Sequence, residues 1–329
     1  MNHLRIKNIA IKFDEHRPQD DFWGPVRITG DLAQPDISHQ SDPLQSKPDE
    51  CPICSSAKTS FLLNVYGWPI YECENCGVGF VWPQPSNELL EKFYDAEYWS
   101  HYMGSEEPLY FRAQLTSHIF SRQAQCFDRI MNGHRRARVL DIGAGDGTML
   151  RLLTDIGYRD VYGVDLNETN ARRAREHLNV NVEACDFLTF HEKGWDAITL
   201  WAVIEHLKDP VSYLRHARTL LNPGGTFILM TGDNSSAQAW IQGALDMWVY
   251  PPEHLFYFTR RSLRHLFEQA GYTDFRAQLQ FQPKWKESLL WGIRMLLAAK
   301  TRLNPNARFW RSVNSNLLVA WGTPGTAKS

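Results

Sequence analysis

Four cysteines occur as two pairs, Cys51-Pro52-Ile53-Cys54 and Cys73-Glu74-Asn75-Cys76, with 18 residues between the pairs. Thiolates at this C-x2-C-x18-C-x2-C spacing can close a tetrahedron around Zn2+. Four protein sulfurs leave no open position, so the site would be structural. Without a secretory signal, metal ligation outweighs two disulfides, and an iron–sulfur centre is the lesser alternative. Gly77, just after the second knuckle, allows the turn that such knuckles need. Cys126 and Cys185 have no partner nearby in sequence and read as ordinary buried thiols.

A second constellation is Val139-Leu140-Asp141-Ile142-Gly143-Ala144-Gly145-Asp146-Gly147. Glycines let the backbone approach a ligand closely, and free N–H groups at a helix start attract a negative group. Asp165 follows Gly143 by 22 residues, where a carboxylate can accept both hydroxyls of a ribose. Asp186 comes after the next strand and can reach an exocyclic amine. A dinucleotide loop, or a glycine turn needed only for packing, is the rival reading. However, the spacing is G-x-G-x-G, with Asp141 two residues ahead. That carboxylate suits an ammonium group better than a pyrophosphate.

These residues must be held by a sheet. From Ala137 onward the pattern alternates strands and helices: strand 138–142, helix 147–156, strand 161–165, helix 168–178, strands 181–184 and 196–201, helix 210–220, strand 226–230. Helix 260–270, strand 273–281 and the apolar run 316–321 would complete it. Alternation of this kind predicts an α/β fold, a doubly wound, mostly parallel Rossmann-like sheet with the acids at one edge. Ahead of it, residues 4–11 and 25–28 suggest a small β-ribbon. Residues 31–50 read as a linker, Ser86 as an N-cap, and 108–132 as a long helical segment. The expected divisions are 1–50 arm and linker, 51–85 zinc ribbon, 86–135 helical connector, 136–282 catalytic domain, and 283–329 basic helix and last strand.

The glycine loop and its acids closely resemble the first motifs of the class I S-adenosylmethionine-dependent methyltransferases, over about residues 135–282. The resemblance implies that Gly143 and Gly145 line the methionine portion of S-adenosylmethionine and that Asp141 orients it. It implies Asp165 on the ribose hydroxyls, Leu166 on adenine and Asp186 on the adenine amine. Phe187 would add a backbone N–H and a flat contact, and Trp201 would face the cofactor from the acceptor side. Phe187 and Trp201 could equally be core aromatics.

On the acceptor side, Glu205-His206-Leu207 follows the fourth strand and Pro252-Glu253-His254-Leu255-Phe256-Tyr257-Phe258-Thr259 follows the fifth. Methyl transfer from a sulfonium is an in-line displacement whose leaving group needs no acid, so the protein supplies placement and, for a hydroxyl or carbon acid, a base. Histidine suits that work. His206, with Glu205, and His254 are the candidate catalytic residues; the rival is that Glu205-His206 only caps and packs the next helix. The second stretch resembles a loop that closes over the acceptor, with His254 and Tyr257 as polar contacts and Phe256 and Phe258 as walls. Met247, Trp248 and Tyr250 add to an aromatic approach, and Thr259 caps the following helix.

Composition narrows the partners. With 329 residues, 43% hydrophobic and 22% charged, at a net charge of -2, the chain is neither disordered nor collagen-like. Residues 49–85 carry Asp49, Glu50, Glu72 and Glu74 against Lys58, a net of -3, which disfavours nucleic acid at the ribbon. The layout of ribbon, Phe93-to-Trp99 segment and catalytic domain resembles sugar- and natural-product-modifying bacterial methyltransferases. Residues 284–311 carry seven basic side chains against Glu287, a net of +6, with interleaved Trp285, Trp291 and Trp310. They suit a docked helix with a solvated basic rim, an acceptor diphosphate, or peripheral contact with anionic lipid. The expectation is a cytoplasmic methyltransferase for a small-molecule acceptor, such as a nucleotide-linked sugar or biosynthetic intermediate, with a structural Zn2+. The alternatives are an RNA or lipid-quinone methyltransferase and a non-catalytic cofactor-binding scaffold. The oligomeric state is not legible.

Overall fold

The computed structural model describes residues 47–65, 67–93, 114–236, 248–280 and 317–325. The ribbon expected at 4–11 and 25–28, the Tyr94-to-Trp99 segment, Met247 and the basic stretch 284–311 lie outside the described residues. The chain enters through β1 (Thr59–Val65), β2 (Trp68–Cys73) and β3 (Gly79–Val81), then α1 (Asn87–Phe93) and α2 (His118–Ile130). The alternating unit follows: β4 (Arg138–Ile142), α3 (Thr148–Asp155), β5 (Asp160–Asp165), α4 (Glu168–Arg173), β6 (Asn181–Ala184) and β7 (Trp195–Trp201). It closes with α5 (Pro210–Leu220), β8 (Leu221–Gly232), β9 (Phe256–Tyr257), α6 (Arg260–Gln269), β10 (Tyr272–Leu279) and β11 (Leu317–Pro324).

Seven strands form one sheet in the order β10-β11-β8-β7-β4-β5-β6. The strands from β8 to β6 pair in parallel, and β11 pairs antiparallel with both β8 and β10. β4 and β7 read as near-continuous apolar runs because elements cover both sheet faces. One face packs Leu140, Ile198, Leu200, Phe227 and Phe267, and the other packs Phe127, Leu153, Tyr158 and Val319. Winding runs outward from β4 through β5 to β6, then reverses to β7 and β8. The crevice between β4 and β7 is therefore the switch point where such sheets take ligands.

Local signals explain the helix ends. Asp209 caps α5 by accepting the Ser212 N–H at 3.0 Å, with Pro210 in the first turn. Thr259 and Ser262 form a reciprocal capping box at α6, as the sequence suggested for Thr259. Ser86 accepts the Leu89 N–H at 3.2 Å ahead of α1. The expected helix 168–178 is two pieces: α4 and a wider π turn, Ala174–Leu178, closed by Asn179 at φ 52. β8 begins earlier than the apolar run at 226–230, because its pairing with β7 starts at Trp195↔Leu221, before an irregularity in register. Among the described residues, no helix is long and apolar enough to cross a membrane.

A smaller antiparallel sheet, β1-β2-β3-β9, holds the cysteine segment. Its last strand comes from the stretch after Glu253-His254, which the sequence suggested as a loop closing over the acceptor. Phe256 and Tyr257 are strand formers, and β3 offers them an edge to pair with. Cys51, Cys73, Cys76, Val78 and Phe80 belong to the same buried cluster as Leu140, Leu200 and Phe256. The ribbon and the main sheet share one core.

Gly163 marks the tightest helix–sheet approach. A Cβ there would sit 2.6 Å from the Ala144 Cβ and 2.8 Å from the Leu150 Cδ1. Gly163→Val is therefore expected to cost roughly 1–3 kcal/mol through overpacking. Urea denaturation checks this, and an unchanged midpoint would contradict the packing described.

Candidate active site at the sheet's switch point

The cofactor half of the site is built on the carboxyl ends of β4 and β5. Gly143, Gly145 and Gly147 have φ of 66, 54 and 79°, a left-handed run that favours glycine. Asp165 holds this loop: its Oδ2 accepts the Gly145 N–H at 2.8 Å and its Oδ1 accepts the Asn167 N–H at 2.9 Å. A carboxylate has about four acceptor sites, so Asp165 keeps lone pairs for hydroxyl donors. Asp141 is 2% exposed, and its Oδ1 accepts the Thr199 hydroxyl at 2.6 Å. Burial lifts the Asp141 carboxyl to about 7, and the nearby Asp165 adds to the rise. A buried carboxyl with free acceptor sites fits an ammonium group such as that of a methionine moiety.

The adenine end is mixed. Leu166 is 81% exposed beside Asp165. Asp186 caps the Phe187–Thr189 turn by accepting the Leu188 N–H at 2.9 Å. Phe187 is buried against Tyr213 and His216, with ring centroids 5.6 and 4.9 Å away. Trp201 packs in the core cluster that also contains Met230, beside Ala202 and Trp248. For these two aromatics, the structure shows the core contacts.

The acceptor half gathers the two Glu-His stretches, 48 residues apart in sequence, into one cluster. Ala202, at the carboxyl end of β7, has a left-handed φ of 53° and turns the chain into the Ile204–His206 helical turn. Oxygen of Glu205 and ring nitrogens of His206 and His254 lie within 4.8 Å of one another. The imidazoles meet edge to face at 4.7 Å. His206 Nδ1 is 3.0 Å from the Glu253 carbonyl and His254 Nδ1 is 2.8 Å from the Trp248 carbonyl. A carbonyl only accepts, so His254 carries its proton on Nδ1 and points Nε2 the other way. Trp248 stacks on His254 at 5.5 Å.

Burial keeps both imidazoles neutral: it pushes His206 well below the usual histidine value and His254 to about 4. Glu205 is 1% exposed, and burial raises its carboxyl to about 8. Its Oε2 accepts the Thr231 hydroxyl at 3.0 Å, while Oε1 is buried without a partner among the described residues. Glu205 is thus a protonated, buried acid near neutrality, not an exposed group at the sheet edge. A pocket opens here, lined by Glu205, Thr231, Asp233, Trp248, His254 and Phe258. His254 lines it directly, and His206 stands behind. Phe256 and Tyr257 also line the pocket, while the Tyr257 hydroxyl donates to the His254 carbonyl at 2.9 Å and its ring packs on Gly79.

Sequence reasoning missed Thr199, Thr231 and Asp233. In the carboxyl halves of their strands, Thr199 interrupts the apolar run of β7 and Thr231 ends that of β8, and Asp233 follows β8 directly. That interruption was the available signal.

The four knuckle cysteines converge. Cys51 Sγ is 3.7 Å from Cys76 Sγ, Cys54 Sγ is 3.6 Å from Cys73 Sγ, and all four sulfurs lie within 4.8 Å of each other. Tetrahedral Zn–S bonds of about 2.3 Å place sulfurs about 3.8 Å apart. The Ile53 and Cys76 N–H groups and Asn75 Nδ2 point at sulfurs from 3.4–3.5 Å, as donors to thiolates do. The cluster fits a zinc ribbon. Cys126 is buried and Cys185 partly so, both outside this cluster.

The seven-stranded sheet, the glycine loop at its switch point and the Asp165 acid define a class I S-adenosylmethionine-dependent methyltransferase domain. A methyltransferase-domain family model matches residues 111–276, and the chain belongs to that family. A ubiquinone biosynthesis O-methyltransferase of Ruegeria pomeroyi is 32% identical over 193 residues, 54% of this chain and 77% of that protein. The protein of the same name from Xanthomonas campestris pv. campestris is 32% identical over 109 residues, 31% of this chain and 45% of that protein. The chain thus spans about half the length of that relative. The magnesium protoporphyrin IX methyltransferase from Synechocystis PCC 6803 with bound SAH matches at 13% identity and a TM-score of 0.49, over 73% of this chain and 100% of that one.

The buried acid gives a pH test. A carboxyl at about 8 when folded, against 4.5 in the open chain, holds a proton that the unfolded state has lost between those values. Stability therefore falls as pH rises through that window. Glu205→Gln keeps an acceptor for Thr231 and removes the penalty. Its thermal midpoint is expected to exceed the wild type's at pH 8 and to match it near pH 4.5. Equal shifts at both values would contradict the assignment.

Proposed function

We propose that this chain transfers the methyl group of S-adenosylmethionine to a hydroxyl of a small-molecule acceptor, with His254 as the base. The carrying observation is the neutral His254 imidazole, which lines the pocket with its Nδ1 proton tied to the Trp248 carbonyl. Bound S-adenosylmethionine supplies the electrophilic methyl. Asp141 takes its ammonium and Asp165 its ribose hydroxyls, with Gly143 and Gly145 leaving room for the methionine chain. Leu166, Asp186 and Phe187 form the adenine end, with Trp201 behind the methionine end. His254 Nε2 receives the acceptor's proton as the new bond to carbon forms. His206 supports His254 edge-on, and protonated Glu205 keeps a second charge out of the pocket.

Trp248 and Phe258 give the small pocket aromatic walls beside His254. Oxygen methylation of a ubiquinone-type intermediate is the acceptor reading that the name of the Ruegeria relative suggests, beside a nucleotide-linked sugar. The knuckles would hold one structural Zn2+ through Cys51, Cys54, Cys73 and Cys76.

Asp165→Ala removes the ribose acceptor and the anchor of Gly145 together. Each lost charge-assisted bond is worth about 1.5–3 kcal/mol, so calorimetry should show cofactor affinity reduced at least tenfold. Unchanged affinity would sink the cofactor site.

His254→Ala is expected to lower turnover ~10²–10⁴-fold with cofactor affinity retained. The wild-type rate should hold down to acid pH and fall only as His254 gains a proton, near 4. His206→Ala should cost less turnover and more thermal stability. Full activity in the His254 variant would retire the base.

A further inference from the structure

The segment that carries His254 is gripped from two sides. Leu255 spans the gap with a single residue: its N–H donates to the Glu205 carbonyl at 2.7 Å, and its carbonyl accepts the Val81 N–H at 2.9 Å. Glu205 belongs to the turn after β7, while Val81 ends β3 of the cysteine ribbon. Immediately beyond Leu255, β9 pairs with β3 in the register Phe80↔Phe256 and Gly79↔Tyr257. The Tyr257 hydroxyl then closes back on the His254 carbonyl.

The ribbon end of this grip starts at the second knuckle. The Gly77 N–H donates to the Cys73 carbonyl at 2.7 Å, and the Cys73 N–H donates to the Val78 carbonyl at 2.9 Å, so the knuckle feeds straight into β3. A second tie runs on the other flank, where Lys208 Nζ, two residues past His206, donates to the Pro85 carbonyl and Asn87 Oδ1, both at 2.9 Å. β3 is held between β2, which pairs with it over Ile70↔Val81, Tyr71↔Phe80 and Glu72↔Gly79, and the knuckle that feeds it, while the two-residue β9 pairs with β3 alone among the described strands. By contrast, the cofactor loop takes its hydrogen bonds from Asp165 and its neighbours, not from the ribbon.

We propose that the four-cysteine ribbon is the positioning element of the acceptor side: with its metal bound it holds β3, and through β9 and Leu255 it fixes His254 against His206 while leaving cofactor binding untouched. The inference rests on the reading of His254 as the acceptor-side base. It makes the ribbon part of the active-site construction. Phe80, Val81 and Gly79 become positioning residues that touch no substrate.

The test is hydrogen–deuterium exchange of the full chain, read by mass spectrometry, before and after removal of zinc with a chelator. Expected is exchange faster by about tenfold or more at residues 254–258 together with 69–81, and no change at 139–165. Calorimetric affinity for S-adenosylhomocysteine should change by less than about twofold. Gly79→Val is the companion variant. Its Cβ would press on the Tyr257 Cβ at 3.1 Å, opening the β3–β9 pair without touching a cysteine. It should keep its zinc and show the same rise at 254–258. Unchanged exchange there in the variant overturns the proposal, and so does a rise that spreads to 139–165 with loss of S-adenosylhomocysteine binding. The readout is independent of turnover: coupled exchange in a chain whose His254→Ala variant stays fully active would retire the base and leave the positioning intact.

Discussion

A Cβ at Gly143 would stand 2.7 Å from a methyl of Val203, so the loop after β4 and the turn after β7 meet with no room for any other residue. That contact lies where the winding of the sheet reverses. It brings the loop that faces the cofactor against the turn that delivers Glu205 and His206. Gly143 also sits at φ 66°, so both its backbone and its missing side chain are required. With a larger residue the two strand ends would separate, and the methyl donor and acceptor would no longer share one crevice.

Around this contact the protein buries ionisable groups and shifts them towards their neutral forms. Asp141 and Glu205 are lifted towards or above neutrality, while His206 and His254 are pushed down, all with burial as the leading cause. A neutral imidazole is the form that can take a proton. The desolvation that keeps the His254 imidazole neutral also lowers its affinity for that proton.

Shared burial also explains why the ribbon is not a separate body. Three of its cysteines lie in the same apolar cluster as the strands of the main sheet, and its fourth strand is lent by the segment after β8. Thiolates in such surroundings need a cation to offset their desolvation. The sulfur spacing and the surrounding N–H donors fit a tetrahedral metal site.

Much of this was legible in the residue order. Local signals carried the strand–helix alternation, the glycine loop, the caps at Ser86 and Thr259 and the pairing of the knuckles, because each depends on neighbours within a few residues. The π turn at Ala174–Leu178 and the early start of β8 were not legible, since pairing with β7 and packing override propensity there. Nor could the sequence tell that Glu205 is buried and neutral, that His254 rather than His206 lines the pocket, or that Phe256 and Tyr257 extend the ribbon. Those outcomes depend on residues tens to hundreds of positions apart, such as Val81 and Leu255 or Glu205 and Thr231, meeting across the fold. Residue types set which chemistry was available; only three-dimensional burial decided which ionisable groups are desolvated and which histidine lines the pocket.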